Sequence, residues 1–178
     1  MFDGSRLPLS DNIARTSAIV KCAAASGVSV EGEIGFVGYA EGDRSRGTDP
    51  EEARRFAEET GVTAMAISIG NVHLQRSSDG EVDVARLRAI EAVTSVPLVI
   101  HGGSGIAAHT RRDLSMTSNI CKFNVGTEIR VAFGNALRRV LAENPEEFDR
   151  IALLGKLIPD LREATRGVLR SLDSQGRA

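Results

Sequence analysis

Aromatic residues are scarce: the 178 residues hold no Trp, one Tyr and six Phe. That scarcity argues against a β-sandwich and against a surface built to stack nucleotide bases. Cysteine is scarce too. Cys22 and Cys121 are the only two, and their separation matches no CxxC or zinc-ribbon spacing. Both are expected to be small buried hydrophobes. No excess of one charge exists, since 22 Lys and Arg face 24 Asp and Glu for a net charge of −2. No basic stripe marks a nucleic-acid surface, and no acidic tail marks an interaction arm. No apolar run approaches the ~18 residues that cross a bilayer. The first residues lack the basic and apolar regions of a signal peptide. The expectation is a cytoplasmic protein with neither nucleic acid nor membrane as partner.

Proline is sparse at five, against 18 glycines, a balance that suits many tight strand-to-helix turns. With 42% hydrophobic residues, the chain is expected to form one domain, 1–178, around a sizeable core. Short apolar runs alternate with helical patterns. Ser10 is placed to cap a helix through Ile13, Val20 and Ala24, with Gly27 as its stop. Residues 28–34 (VSVEGEI) read as a strand, and a polar, glycine-rich loop fills 35–47. Thr48 or Asp49 with Pro50 opens a helix that ends near Gly61. Residues 62–69 (VTAMAISI) and 96–100 (VPLVI) read as strands buried on both faces. Asp83 starts a helix between them. A short helix over 107–116, a strand over 120–125 (ICKFNV), a helix over 128–141 and an amphipathic helical stretch over 146–172 complete the pattern. Such alternation means a parallel α/β sheet. A flavodoxin-like open sheet and a part of a (β/α)8 barrel both fit these elements.

The chemistry concentrates where apolar strands end. His73 closes Ile69-Gly70-Asn71-Val72-His73, and His101 opens His101-Gly102-Gly103-Ser104-Gly105. The C-terminal ends of parallel strands form the functional face of such folds. Two imidazoles on adjacent strands, about 4.8 Å apart, could share a metal ion, or each could simply be hydrogen-bonded. His109, in a polar helix near two arginines, reads as a surface residue. Glycines in the His101 loop let backbone N–H groups approach an anion, and Asn124-Val125-Gly126-Thr127 leads into a helix N-terminus that favours negative charge. Glu31 and Glu33 share one face of their strand, and Asp3 follows the apolar scrap Met1–Phe2 in the same manner. Asp43, Arg44 and Arg46 populate the long 35–47 loop, a length often found in lids.

Taken in order, the motifs Met1-Phe2-Asp3-Gly4-Ser5, Val30-Glu31-Gly32-Glu33-Ile34-Gly35, Ile69-Gly70-Asn71-Val72-His73, His101-Gly102-Gly103-Ser104-Gly105 and Phe123-Asn124-Val125-Gly126-Thr127-Glu128 resemble the class II, zinc-dependent ketose-bisphosphate aldolases. The resemblance spans essentially the whole chain. It implies a (β/α)8 TIM-barrel fold, here an incomplete barrel of about strands 4–8, and an aldehyde-lyase of carbohydrate metabolism and glycolysis. Such an enzyme cleaves or condenses a ketose (bis)phosphate to dihydroxyacetone phosphate and an aldehyde. It further implies that His73 and His101 are two of three zinc ligands, with Glu33 and Asp3 as weaker second-metal positions. Gly102, Gly103 and Ser104 match a first phosphate loop, and Asn124, Val125, Gly126 and Thr127 a second. The implied cofactor is zinc, with a monovalent cation as a further candidate. The implied partners are a phosphorylated sugar and other copies of the chain, in a dimer or tetramer.

Two departures accompany the resemblance. The remaining zinc His and the catalytic general acid/base Asp of the family would fall before Met1, in roughly 80–100 residues of a full barrel. The isolated chain is therefore expected to lack a complete site and to show little lyase activity. Alternatives are a non-catalytic phosphosugar-binding fragment and a half-barrel subunit. Second, Leu74 stands where the family usually has Gly and Ser77 where many members have Lys. A Cβ at Leu74 restricts backbone approach to a ligand, which points to a divergent subfamily.

Overall fold

The computed structural model describes residues 1–75 and 80–176, so Ser77 lies outside the described residues. Five strands lie side by side, all parallel: β1 (Phe2–Asp3), β2 (Glu31–Glu33), β3 (Ala64–Ile67), β4 (Leu98–Ile100) and β5 (Ile120–Phe123). Their order across the sheet is their order in the chain. A flavodoxin-like sheet reverses direction at a switch point, whereas a barrel wall runs on without reversal. The sheet is thus of barrel type, with five strands. Helices α1 (Leu9–Ala24), α2 (Pro50–Thr60), α3 (Val84–Glu91) and α4 (Ala108–Thr117) connect the strands. Three more follow β5: α5 (Thr127–Glu143), α6 (Arg150–Gly155) and α7 (Ile158–Ser171).

Register explains the two faces of the sheet. Glu33 stands beside Ala66, Ala66 beside Val99 and Val99 beside Lys122. Side chains alternate along a strand, so Glu31, Glu33, Val99 and Lys122 share one face, which His101 continues past the end of β4. The other face carries Met65, Ile67, Leu98, Ile100 and Ile120. These pack against Phe56, Leu87, Ile90 and Leu114 of the helices to form the main core. A smaller cluster of Ala136, Val140 and Leu157 joins α5 to the segment before α7.

Local signals placed some of the helix ends. The Asp49 side chain accepts from the N–H groups of Glu51 and Glu52, and Gly61 closes α2 in the left-handed conformation. Asp83 accepts from Arg86 N–H at the start of α3. Ser10 does not cap its helix: α1 begins at Leu9 behind Pro8, with no side-chain cap. Strands are shorter than the apolar runs suggest. Val62 and Ile69 flank β3 outside the ladder and are still buried, because burial continues where the chain bends into loops. Residues 146–172 form two helices, α6 and α7. Pro159 sits in the first turn of α7, where its missing N–H has no intrahelical partner to lose.

The two cysteines correct an expectation, since both are exposed. Cys22 lies off the face of α1 that buries Asn12, Ile13 and Thr16. On β5, Leu98 pairs with Ile120 and Val99 with Lys122. That shift leaves Cys121 as the extra residue of a bulge on the outermost strand. Among the described residues no helix is long and apolar enough to cross a membrane.

Candidate functional site

His101 lies at the centre of a charged row on the polar face of the sheet. Its Nε2 stands 3.0 Å from Glu31 Oε1 and its Nδ1 3.0 Å from Glu33 Oε2. Lys122 Nζ meets the other Glu31 oxygen at 2.5 Å. Period-two alternation puts Glu31 and Glu33 on one side of β2, and the parallel register carries them to His101 two strands away. Glu33 is only 3% exposed. Burial disfavours charge on His101, but its hydrogen bonds to Glu33 and Glu31, and their charge, prevail and hold its pKa above the ordinary histidine value. For Glu31, burial pushes the pKa up, and the Lys122 and His101 contacts outweigh it and bring the pKa below the usual carboxylate value.

His73 joins this row from the loop after β3. Its ring centroid is 5.9 Å from that of His101. Burial, and then the neighbouring His101, depress its pKa, against the charges of Glu33 and Asp3. Asn71 ties the two histidine loops together. Its Oδ1 accepts from Ile69 N–H at 2.7 Å, and its Nδ2 donates to the His101 carbonyl at 2.8 Å. The long loop after β2 is hooked onto the same segment. His73 N–H donates to the Gly38 carbonyl at 2.7 Å, and Ala40 N–H donates to the His73 carbonyl at 2.9 Å. The Tyr39 ring lies against the His73 ring, with centroids 5.2 Å apart. Asp43 and Arg46 anchor the loop to the segment after β1, through Arg6 at 2.8 Å and the Ser5 carbonyl at 3.1 Å. Arg44 is exposed.

Asp3 is exposed on β1, and its Oδ1 accepts from the Ser5 N–H and hydroxyl at 3.0 and 2.7 Å. Among the described residues no group of three or more His, Cys, Asp or Glu side chains is arranged to hold a metal ion. The donor set of the histidine pair nevertheless suits one. Two imidazoles on one tetrahedral zinc have ring centroids about 5 Å apart, close to the spacing seen. A metal on one His101 nitrogen would replace one carboxylate contact and keep the other as the orienting hydrogen bond that metal-bound histidines need.

A cavity of about 510 Å³ opens beside this row. His73 and Leu74 line one side, Gly102 and Ser104 another, and Asn124, Val125, Gly126 and Thr127 a third, with Arg130 at the rim. Gly102 has φ +65°, and a Cβ there would run into the Val72 carbonyl. Gly103 is buried behind the lining, with its N–H spent on the Asn124 carbonyl at 3.0 Å. Thr127 begins the 17-residue helix α5, whose positive end therefore faces the cavity. His109 lies outside this group and is exposed.

Several participants escaped the sequence reading: Lys122, Tyr39, Arg130 and the pair Arg111–Glu128. A signal for one of them existed: Arg111 sits three residues before Leu114 on the buried side of α4. Lys122 had none, because plain alternation would put it on the face of Ile120, and only the bulge at Cys121 turns it towards Glu31. Tyr39 had none, because nothing in a loop sequence tells which strand end it meets.

Parallel strands in chain order, with histidines, carboxylates and two glycine-rich loops at their C-terminal ends, define a protein of the (β/α)-barrel class with a cavity at that end of the sheet. The family model of class-II fructose-bisphosphate aldolase matches residues 1–177, and the chain belongs to that family. Among solved structures, the YdjI aldolase from Escherichia coli K12 is 27% identical with a TM-score of 0.76, and the match covers 100% of this chain and 60% of that one. A candidate fructose-1,6-biphosphate aldolase from Coccidioides immitis is 24% identical, with a TM-score of 0.82 and coverage of 99% and 63%. Fructose-bisphosphate aldolase from Campylobacter jejuni is 21% identical, with a TM-score of 0.77 and coverage of 97% and 58%. The last two show likeness of fold. The chain thus spans 58 to 63% of the length of these structures.

Proposed function

We propose that this chain carries the phosphate cradle and two metal ligands of a zinc-dependent aldehyde-lyase. The reaction splits a ketose (bis)phosphate into dihydroxyacetone phosphate and an aldehyde, or joins them. The observation that carries this reading is the cavity framed by the Gly102–Ser104 turn and the start of α5, with His73 on its wall. His73 and His101 would hold the zinc, with Glu33 and Asp3 as nearby carboxylates. Zinc, when bound, supplies Lewis acidity for negative charge that develops on the ketose oxygens as the C3–C4 bond breaks. Backbone N–H groups at residues 125–127 and the Ser104 hydroxyl orient the phosphate, and whichever of Glu31 and Glu33 the metal leaves on His101 fixes its ring.

Calorimetry with zinc tests this. One site is expected, weakened at least about tenfold by His73→Ala and by His101→Ala, since even the loss of a residue that only orients a ligand costs that much. Binding of dihydroxyacetone phosphate should in turn require residues of the cradle. Zinc affinity that ignores both substitutions would sink the reading. A second reading, a phosphosugar-binding chain without the chemistry, is favoured by one feature: the described lining of the cavity holds no carboxylate to carry a proton. Retro-aldol turnover abolished by a chelator would decide for the lyase.

A further inference from the structure

Arg111 touches both walls of the cavity from behind. It is 3% exposed on α4, yet its head group is fully charged. Nη1 donates to Glu128 Oε1 at 2.6 Å and Nη2 to Glu128 Oε2 at 3.4 Å. Nη1 also reaches the Gly103 carbonyl at 3.5 Å, and Nε is buried without a partner among the described residues. A buried ion pair is a poor device for stability alone, because an apolar side chain of similar volume serves as well or better. Its place suggests another use. Glu128 is the acidic residue in the first turn of α5, the turn whose N–H groups face the cavity. Its backbone N–H donates to Ser104 Oγ at 3.3 Å. A carboxylate suits a helix N-terminus, but beside an anion site it repels the ligand.

We infer that Arg111 is a positioning residue for anion binding. It cancels the Glu128 charge towards a bound phosphate. This rests on the reading of the cavity as a phosphate site. The test uses the full chain and inorganic phosphate, with affinity read by calorimetry for wild type, Arg111→Met, Glu128→Gln and the double variant. Arg111→Met should bind phosphate about three- to tenfold more weakly, the scale of one charge at a helix end. Glu128→Gln should bind as well as wild type or better, and the double variant should recover most of the affinity lost in Arg111→Met. A pair that serves only to space the Gly103 turn and the start of α5 predicts the reverse, since both the Glu128→Gln and the double variant lack the contact. Wild-type affinity in Arg111→Met, or no recovery in the double variant, overturns the inference alone. Wild-type protein that does not bind phosphate overturns the phosphate reading and this inference with it. If Arg111→Met does not fold, Glu128→Gln decides: weaker binding overturns the inference, and unchanged or tighter binding supports it.

Discussion

Asn71 donates its side-chain amide to the backbone carbonyl of His101 at 2.8 Å, so the loop that carries His73 is bonded to the strand end that carries the second histidine. Asn71 is buried and also accepts from Ile69 N–H. Replacing it with Ala leaves a buried carbonyl and a buried N–H unpaired, at about 1–3 kcal/mol each. Asn71→Ala is expected to lower folding stability by about 2–4 kcal/mol in urea titration. Under conditions where it is fully folded, it should also bind zinc more weakly. Unchanged affinity would show that the histidines hold their geometry without this tie.

The histidine row makes a pH prediction that needs no metal. In chelator-treated protein, imidazole NMR should show His101 titrating above 6.5 and His73 below it. A base with a raised folded-state pKa stabilises the fold fully below its unfolded pKa, and that contribution fades as pH rises through the folded value. The stability difference between wild type and His101→Gln should therefore shrink as pH climbs above about 6.5. Glu33→Gln should bring the His101 titration down towards the ordinary value. A His101 midpoint at or below that of His73 would contradict the carboxylate contacts.

What was legible in the sequence followed from periodicity and from glycine. Alternation put Glu31 and Glu33 on one face, and the apolar runs at 62–69 and 96–100 marked the buried strands that aim His73 and His101 at the same region. Capping chemistry at Asp49 and Asp83 fixed two helix starts. The partnerships across elements were not legible. That Glu31 meets Lys122, 91 residues away, depends on the register of four strands, and no local pattern encodes it. Cys121 shows the limit most directly: the bulge that exposes it arises in pairing with β4, not in its own neighbours.

That bulge yields its own check. Cys22 and Cys121 are both exposed, and neither is in a disulfide. An Ellman titration of the native protein should count two thiols at rates close to those after denaturation. One fast and one hidden thiol would mean that one strand or helix face is covered in solution.

Leu74 and Gly102 both line the cavity, and both have positive φ, at 58° and 65°. For Gly102 the conformation is free, while its Cβ space is filled by the Val72 carbonyl. Gly102→Ala is thus expected to lose about 2 kcal/mol or more, from a strained backbone and a collision together. For Leu74 the balance runs the other way. A left-handed non-glycine residue costs about 1–2 kcal/mol, and the glycine that would relieve it gives back about 0.5–1 kcal/mol in chain entropy. The side chain is 49% exposed, so little packing is lost. Leu74→Gly should leave urea stability unchanged or raise it by up to about 1 kcal/mol. It should also affect binding. Leu74 lines the 510 Å³ cavity and a neighbouring one of about 310 Å³, and removing it joins the two and bares the backbone beside His73. Phosphate affinity should rise in the glycine variant, because its N–H groups can then approach the anion. A loss of more than about 1 kcal/mol on Leu74→Gly, or weaker phosphate binding, would show that the leucine is held there for a contact it makes with ligand or partner.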